Sequence, residues 1–182
     1  MYEKLNIHID TSRLRHALEK TDLWDKYPFR RLGNSPHREM VDIWIRFNNI
    51  QSYLRTGDLT TICDEHESIW YESEIADLVK PIADQLMQFV DGKELGGILI
   101  TKLPANKQIY PHIDTGWHAE YYDKYYVCVK DSGSRFIFDC GEFQPKENEV
   151  WKFENNVTHS IVNGNGERIS LIICIKEKTN AI

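Results

Sequence analysis

The chain has 182 residues, 41% apolar and 12% aromatic, with a net charge of −6. That is ample material for one hydrophobic core, and the acidic balance argues against a general binder of phosphate backbones. No apolar run reaches membrane-span length and Met1-Tyr2-Glu3-Lys4 lacks a signal-peptide core, so a soluble, intracellular (cytoplasmic) protein without nucleic-acid or membrane partners is expected.

In chain order, Leu5, Ile7 and Ile9 alternate with polar residues and predict a short strand. Asp10 or Thr11 then caps a helix running to Lys20, with Leu14, Ala17 and Leu18 inward. Residues 21–36 are turn-rich, 41–47 alternate as a strand, and a long aromatic-dotted loop reaches Trp70. Within that loop Cys63-Asp64-Glu65-His66 has zinc-like spacing but no second ligand pair, so it reads as loop. The four cysteines, Cys63, Cys128, Cys140 and Cys174, read as small buried hydrophobes rather than bridges.

The clearest helix spans 73–90, striped by Ile75, Leu78, Val79, Ile82, Leu86, Phe89 and Val90. Gly92 would stop it, and Pro81 predicts a kink or two abutting helices. Everything after Gly92 reads as β: strands at 97–103, 108–113, 125–130, 134–140, 150–153, 159–162 and 168–176. Turn chemistry stands at Lys130-Asp131-Ser132-Gly133 and Asn163-Gly164-Asn165-Gly166. The expected fold is mainly β with flanking helices (α+β), a double-stranded β-helix of the jelly-roll, cupin-like kind. It forms one domain over 1–182, with residues 1–92 as a supporting region and 93–182 as the jelly-roll core carrying the site. In the last strand Ile169, Leu171, Ile173 and Ile175 share one face, against Arg168, Ser170, Ile172 and Cys174 on the other.

The chemistry gathers at Tyr110-Pro111-His112-Ile113-Asp114 and at Thr158-His159-Ser160. Residues two apart on a strand share a face, so His112 and Asp114 point at one spot. With His159 they make two imidazoles and a carboxylate, the donor set of non-haem Fe(II) oxygenases. Three coordination positions stay open on such a cation, two for a chelating 2-oxo acid and one for O2. Arg168, with Ser170 beside it, offers a fork for the distal carboxylate of that co-substrate.

At these residues the chain resembles the aspartyl/asparaginyl β-hydroxylase-like family of Fe(II)- and 2-oxoglutarate-dependent oxygenases. The resemblance covers about the last ninety residues and is strongest at Tyr110–Asp114 and from Phe153 to Ile173. It implies Fe(II), 2-oxoglutarate and O2, with His112, Asp114 and His159 on the metal and Arg168, Ser170 and Tyr126 at the co-substrate. Asp114 is a departure from the animal β-hydroxylases, which lack the carboxylate ligand, and is similar to the bacterial amino-acid hydroxylases of the superfamily. The expected substrate is a small carboxylate-bearing molecule or a peptide residue. Arg46, in a strand pattern, and Trp117, in the loop after Asp114, are the residues expected to meet it. The alternative is a non-catalytic cupin-like jelly roll binding a metal or small ligand, which needs no arginine on the last strand.

Overall fold

A computed structural model describes residues 2–58 and 68–178. The Cys63–His66 spacing therefore lies outside the described residues. Eleven strands, four α-helices and one short 3-10 helix (Pro28–Arg31) are assigned among the described residues. The order is β1 (Tyr2–His8), α1 (Ser12–Leu18), β2 (Val41–Asn48), α2 (Gln51–Thr56), β3 (Ser68–Trp70), α3 (Glu74–Phe89), β4 (Gly92–Leu103) and β5 (Gln108–His112). Then come α4 (Trp117–Tyr121), β6 (Asp123–Lys130), β7 (Arg135–Phe138), β8 (Gly141–Phe143), β9 (Glu149–Phe153), β10 (His159–Val162) and β11 (Arg168–Glu177).

Two antiparallel sheets face each other, one of seven strands in the order β1-β9-β6-β11-β4-β2-β3 and one of four in the order β5-β10-β7-β8. This is the double-stranded β-helix. The last strand explains the layering. Ile169, Leu171, Ile173 and Ile175 join Leu14, Leu18, Ile75, Val79 and Leu86 in a core between the large sheet and helices α1 and α3. On the opposite face Tyr126, Cys128 and Phe153 of the large sheet meet Ile109, Phe136, Phe138, Phe143 and Ile161 of the small one. Each such fully buried side chain contributes roughly 1.5–3 kcal/mol before entropy is subtracted.

Several local expectations are revised. Pro81 interrupts nothing: α3 is one helix from Glu74 to Phe89, capped by Ser73 Oγ accepting from the Ala76 amide at 3.1 Å. Pro81 lies on the exposed face, where water can serve the carbonyl its missing N–H leaves free. The left-handed residue after α3 is Asp91 (φ 49), not Gly92. Gly92 instead sits in a crowded spot, where a Cβ would lie 2.6 Å from Met87 Sδ and 2.9 Å from Ile175 Cγ2. The strand expected at 134–140 ends at Phe138, and Gly141 (φ 139) turns the chain into β8. Cys128 and Cys174 are buried free thiols, whereas Cys140 is exposed, being in the turn between β7 and β8. Helix α2 and strand β3 arise where a loop was expected.

One buried side chain ties the two sheets together beside the turn between β10 and β11. Asn163 Nδ2 donates to the carbonyls of Leu103 (3.0 Å), Pro104 (2.8 Å) and Gly166 (2.9 Å), and its Oδ1 accepts from Ser134 Oγ at 2.7 Å and from Ser132 Oγ. It thus fixes the link between the strand bearing His159 and the strand bearing Arg168. Replacing Asn163 with Ala strands several buried carbonyls, and is expected to cost on the order of 3 kcal/mol. Urea midpoints of the parent and Asn163→Ala check this, and unchanged midpoints would contradict it.

Candidate metal and carboxylate site

Between the sheets lies a cavity of about 270 Å3 whose wall includes His37, His112, Asp114, Lys124, His159 and Arg168. β5 and β10 pair antiparallel with His112 directly opposite His159, and their ring centroids are 4.4 Å apart. Asp114 follows the end of β5, held by its amide donating to the Asn155 carbonyl at 2.9 Å. Its Oδ1 lies 3.3 Å from His112 Nε2.

The two imidazoles are oriented alike. His112 Nδ1 faces the Tyr110 carbonyl at 2.8 Å and His159 Nδ1 faces the Val157 carbonyl at 2.9 Å. A carbonyl only accepts, so in each ring Nδ1 carries a proton, which leaves Nε2 as the atom turned toward a cation. In His112 that Nε2 is buried and makes no hydrogen bond. His112 Nε2 and an Asp114 carboxylate oxygen thus converge at one spot. That is the electronic setting of a cation site, with the orienting carbonyls that metal-binding histidines use.

Electrostatics point the same way. Burial by itself would raise the Asp114 carboxyl, but the Lys124 ammonium against it holds it well below the usual carboxylate range. Burial lowers His159, partly opposed by its Val157 bond and by Asp114, and so favours the neutral, metal-binding form.

Arg168 stands deeper in the same cavity, 1% exposed. Its Nη2 donates to Thr101 Oγ1 at 3.2 Å, while Nε and Nη1 are buried without a partner. Among the described residues no carboxylate pairs with it. Its guanidinium carbon lies 5.3 Å from the Phe136 ring centroid and 5.6 Å from that of Tyr126. Burial pulls its pKa down, yet a guanidinium keeps its proton. A buried, unpaired cation with two idle donors is costly unless an anion completes it.

The structure brings His112, Asp114, His159 and Arg168 to one cavity and sorts the other expected residues differently. Ser170 and Tyr126 are fully buried behind the wall, each hydroxyl unpartnered, and burial pushes Tyr126 up. Arg46 does not line the cavity. The pairing of β2 with β4 slips between Trp44, opposite Leu99, and Arg46, opposite Ile98, and such a slip sends later side chains to the other face. Arg46 Nη1 instead donates to the Gly96 carbonyl at 2.8 Å. Trp117 is also outside: in α4 it is 39% exposed and stacks on Tyr121 at 4.9 Å, and His118 and Ala119 face the cavity in its place.

Three residues of the wall escaped the sequence reading. Lys124 opens β6 opposite Cys174. Arg30, bonded to Asp42 Oδ2 at 2.9 Å, is the N-terminal arginine that reaches the cavity. His37 lies in the turn before β2, its ring centroid 4.7 Å from that of His112. Its donor atom and those of His112 and Asp114 all lie within 4.8 Å of one another, the one such three-residue cluster among the described residues. Arg30 belongs to an N-terminal stretch holding five of the nine arginines (Arg30, Arg31, Arg38, Arg46 and Arg55), whereas no sequence pattern marked Lys124 or His37.

No protein-family model matches the chain, and no curated protein is similar to it in sequence. Solved structures are similar in fold. A viral collagen prolyl hydroxylase from Paramecium bursaria Chlorella virus-1, solved with 2-oxoglutarate, has 13% identity and TM-score 0.57, over 97% of this chain and 96% of that one. A Pseudomonas putida prolyl-4-hydroxylase has 14% identity and TM-score 0.54, over 98% and 93%. A 2-oxoglutarate–Fe(II) oxygenase family protein from Burkholderia pseudomallei has 11% identity and TM-score 0.57, over 78% and 70%. The chain shares the fold of these oxygenases. At such identity the likeness speaks for the fold and leaves the chemistry to the side chains. It also does not single out the aspartyl/asparaginyl branch that the motifs resemble. Among the described residues no helix is long and apolar enough to cross a membrane.

Proposed function

We propose that this chain is an Fe(II)- and 2-oxoglutarate-dependent oxygenase that hydroxylates a C–H bond of a small carboxylate-bearing substrate, with a peptide residue as second choice. The observation that carries the reading is the buried Arg168 with two unpartnered nitrogens, in the same cavity as a converging His112–Asp114 pair opposite His159. A metal-binding jelly roll without a dicarboxylate co-substrate has no use for that uncompensated charge.

In this reading His112, Asp114 and His159 hold Fe(II), and their carbonyl-fixed Nδ1–H groups keep the Nε2 lone pairs aimed inward. Arg168 takes the C5 carboxylate of 2-oxoglutarate with Nε and Nη1, while Thr101 holds Nη2. Ser170 and Tyr126 supply buried hydroxyls behind that arginine. When bound, Fe(II), 2-oxoglutarate and O2 supply the oxidising power that replaces a substrate C–H hydrogen by hydroxyl, with succinate and CO2 formed. Phe136, Phe153, Ile161 and Ile172 in the wall exclude water, which strengthens each charge interaction inside.

The substrate class follows from the charges on the wall. Arg30 is paired with Asp42 and Lys124 with Asp114, which leaves Arg168 as the cavity's unpaired cation and supports an anionic ligand. The resemblance to amino-acid hydroxylases of the aspartyl/asparaginyl branch supports the same class. Succinate production with a panel of free amino acids, peptides and their amidated counterparts is the test. Stimulation by carboxylate-bearing compounds is expected, and equal stimulation by uncharged counterparts would remove this assignment.

A further inference from the structure

Four potential donors crowd this cavity where the oxygenase reading needs three. Their supports differ. His112 and His159 each have a carbonyl fixing Nδ1. The His37 ring has no hydrogen bond among the described residues, although its backbone is well tied: its amide donates to Ser35 Oγ at 3.1 Å and the Met40 amide donates to its carbonyl at 3.0 Å. The preceding carbonyl, of Pro36, accepts from the Tyr110 amide at 3.0 Å, and Glu39 Oε2 accepts from the Gln108 amide at 2.9 Å. The 36–39 turn is thereby laced to β5, so His37 is held beside His112 while its ring stays unlocked.

Coordination arithmetic gives this placement a consequence. An octahedral cation bound by His112, Asp114 and His159 keeps three positions, which a chelating 2-oxo acid and O2 together fill. A fourth protein ligand would leave two. We infer that His37 is an exchangeable fourth ligand, occupying the metal before 2-oxoglutarate arrives and displaced by it. This rests on the proposed function and deepens it: chelation of the 2-oxo acid with a position still left for O2 requires His37 to leave. The locked rings of His112 and His159 stay, since each would also lose its carbonyl bond.

The test is metal affinity rather than turnover. Apo full-length parent, His37→Ala and His37→Phe are titrated anaerobically with Fe(II) against a chromophoric chelator, with and without saturating 2-oxoglutarate. The phenylalanine variant keeps the ring packing against His112 and removes the donor, and matched thermal melts establish that it folds. Without 2-oxoglutarate both variants are expected to bind Fe(II) at least about tenfold more weakly than the parent. With 2-oxoglutarate the gap should close, and by linkage the metal-loaded variants should bind 2-oxoglutarate more tightly by the same factor. Parental Fe(II) affinity in His37→Phe without 2-oxoglutarate overturns the inference and leaves the proposed function standing. A gap that persists with 2-oxoglutarate overturns the exchange. A parent that binds no Fe(II) overturns both readings.

Discussion

His112→Ala and His159→Ala are each expected to weaken Fe(II) binding by at least about 100-fold and to abolish the slow turnover of 2-oxoglutarate that occurs without substrate. The two rings stand opposite each other across β5 and β10, each with its proton fixed on Nδ1 by a carbonyl. Removing either deletes a preoriented lone pair that no neighbour replaces, since the unlocked His37 lacks that support. Asp114→Ala should also be severe, and it frees the Lys124 ammonium to repel an incoming cation. Equilibrium dialysis with Fe(II) under argon reads the affinity. If both histidine variants bind Fe(II) and consume 2-oxoglutarate like the parent, the ligand assignment is wrong.

Arg168→Met tests the opposite end of the cavity. Methionine keeps much of the bulk but removes the fork, so the C5 carboxylate would enter a nearly dry pocket with only hydroxyls to meet it. Such a loss costs on the order of a few kcal/mol, hence roughly a 100-fold rise in the Kd for 2-oxoglutarate. Fe(II) affinity should hardly change, because Arg168 touches none of the metal-site residues. The folded variant should be no less stable than the parent, because the substitution removes a buried unpaired charge. Unaltered 2-oxoglutarate affinity would contradict the role given to Arg168. A large stability loss would contradict the view that its charge is uncompensated.

What the sequence revealed and what it hid have physical causes. The two-residue repeat of the last strand put Arg168 and Cys174 on the cavity side and Ile169, Leu171, Ile173 and Ile175 on the helix side, as the fold has them. Strand periodicity is a local property, so it survives to the tertiary level unless a bulge intervenes. In β2 one does, between Trp44 and Arg46, so the expectation that a polar residue of this strand pattern faces the cavity did not carry through to Arg46. The meeting of His112 with Asp114 was legible because they lie two positions apart, and the place of His159 opposite His112 because its motif marks a strand. His37 and Lys124 were not legible. Their place beside Asp114 depends on the lacing of the 36–39 turn to β5 and on the pairing of β6 with β11, contacts that span about seventy and some fifty residues of chain. Trp117 was misplaced for a smaller reason: a single turn of helix, α4, rotates it outward onto Tyr121 and turns His118 in.

The central claim is that one cavity binds a metal and a 2-oxo acid together, the acid on the metal at one end and on Arg168 at the other. Anaerobic addition of 2-oxoglutarate to the Fe(II)-loaded chain, followed in the visible spectrum, tests it most directly. A weak metal-to-ligand charge-transfer band should appear and saturate with 2-oxoglutarate, should be absent in His112→Ala, and should need far more co-substrate in Arg168→Met. Fe(II) binding without any such band at saturating 2-oxoglutarate would contradict the account.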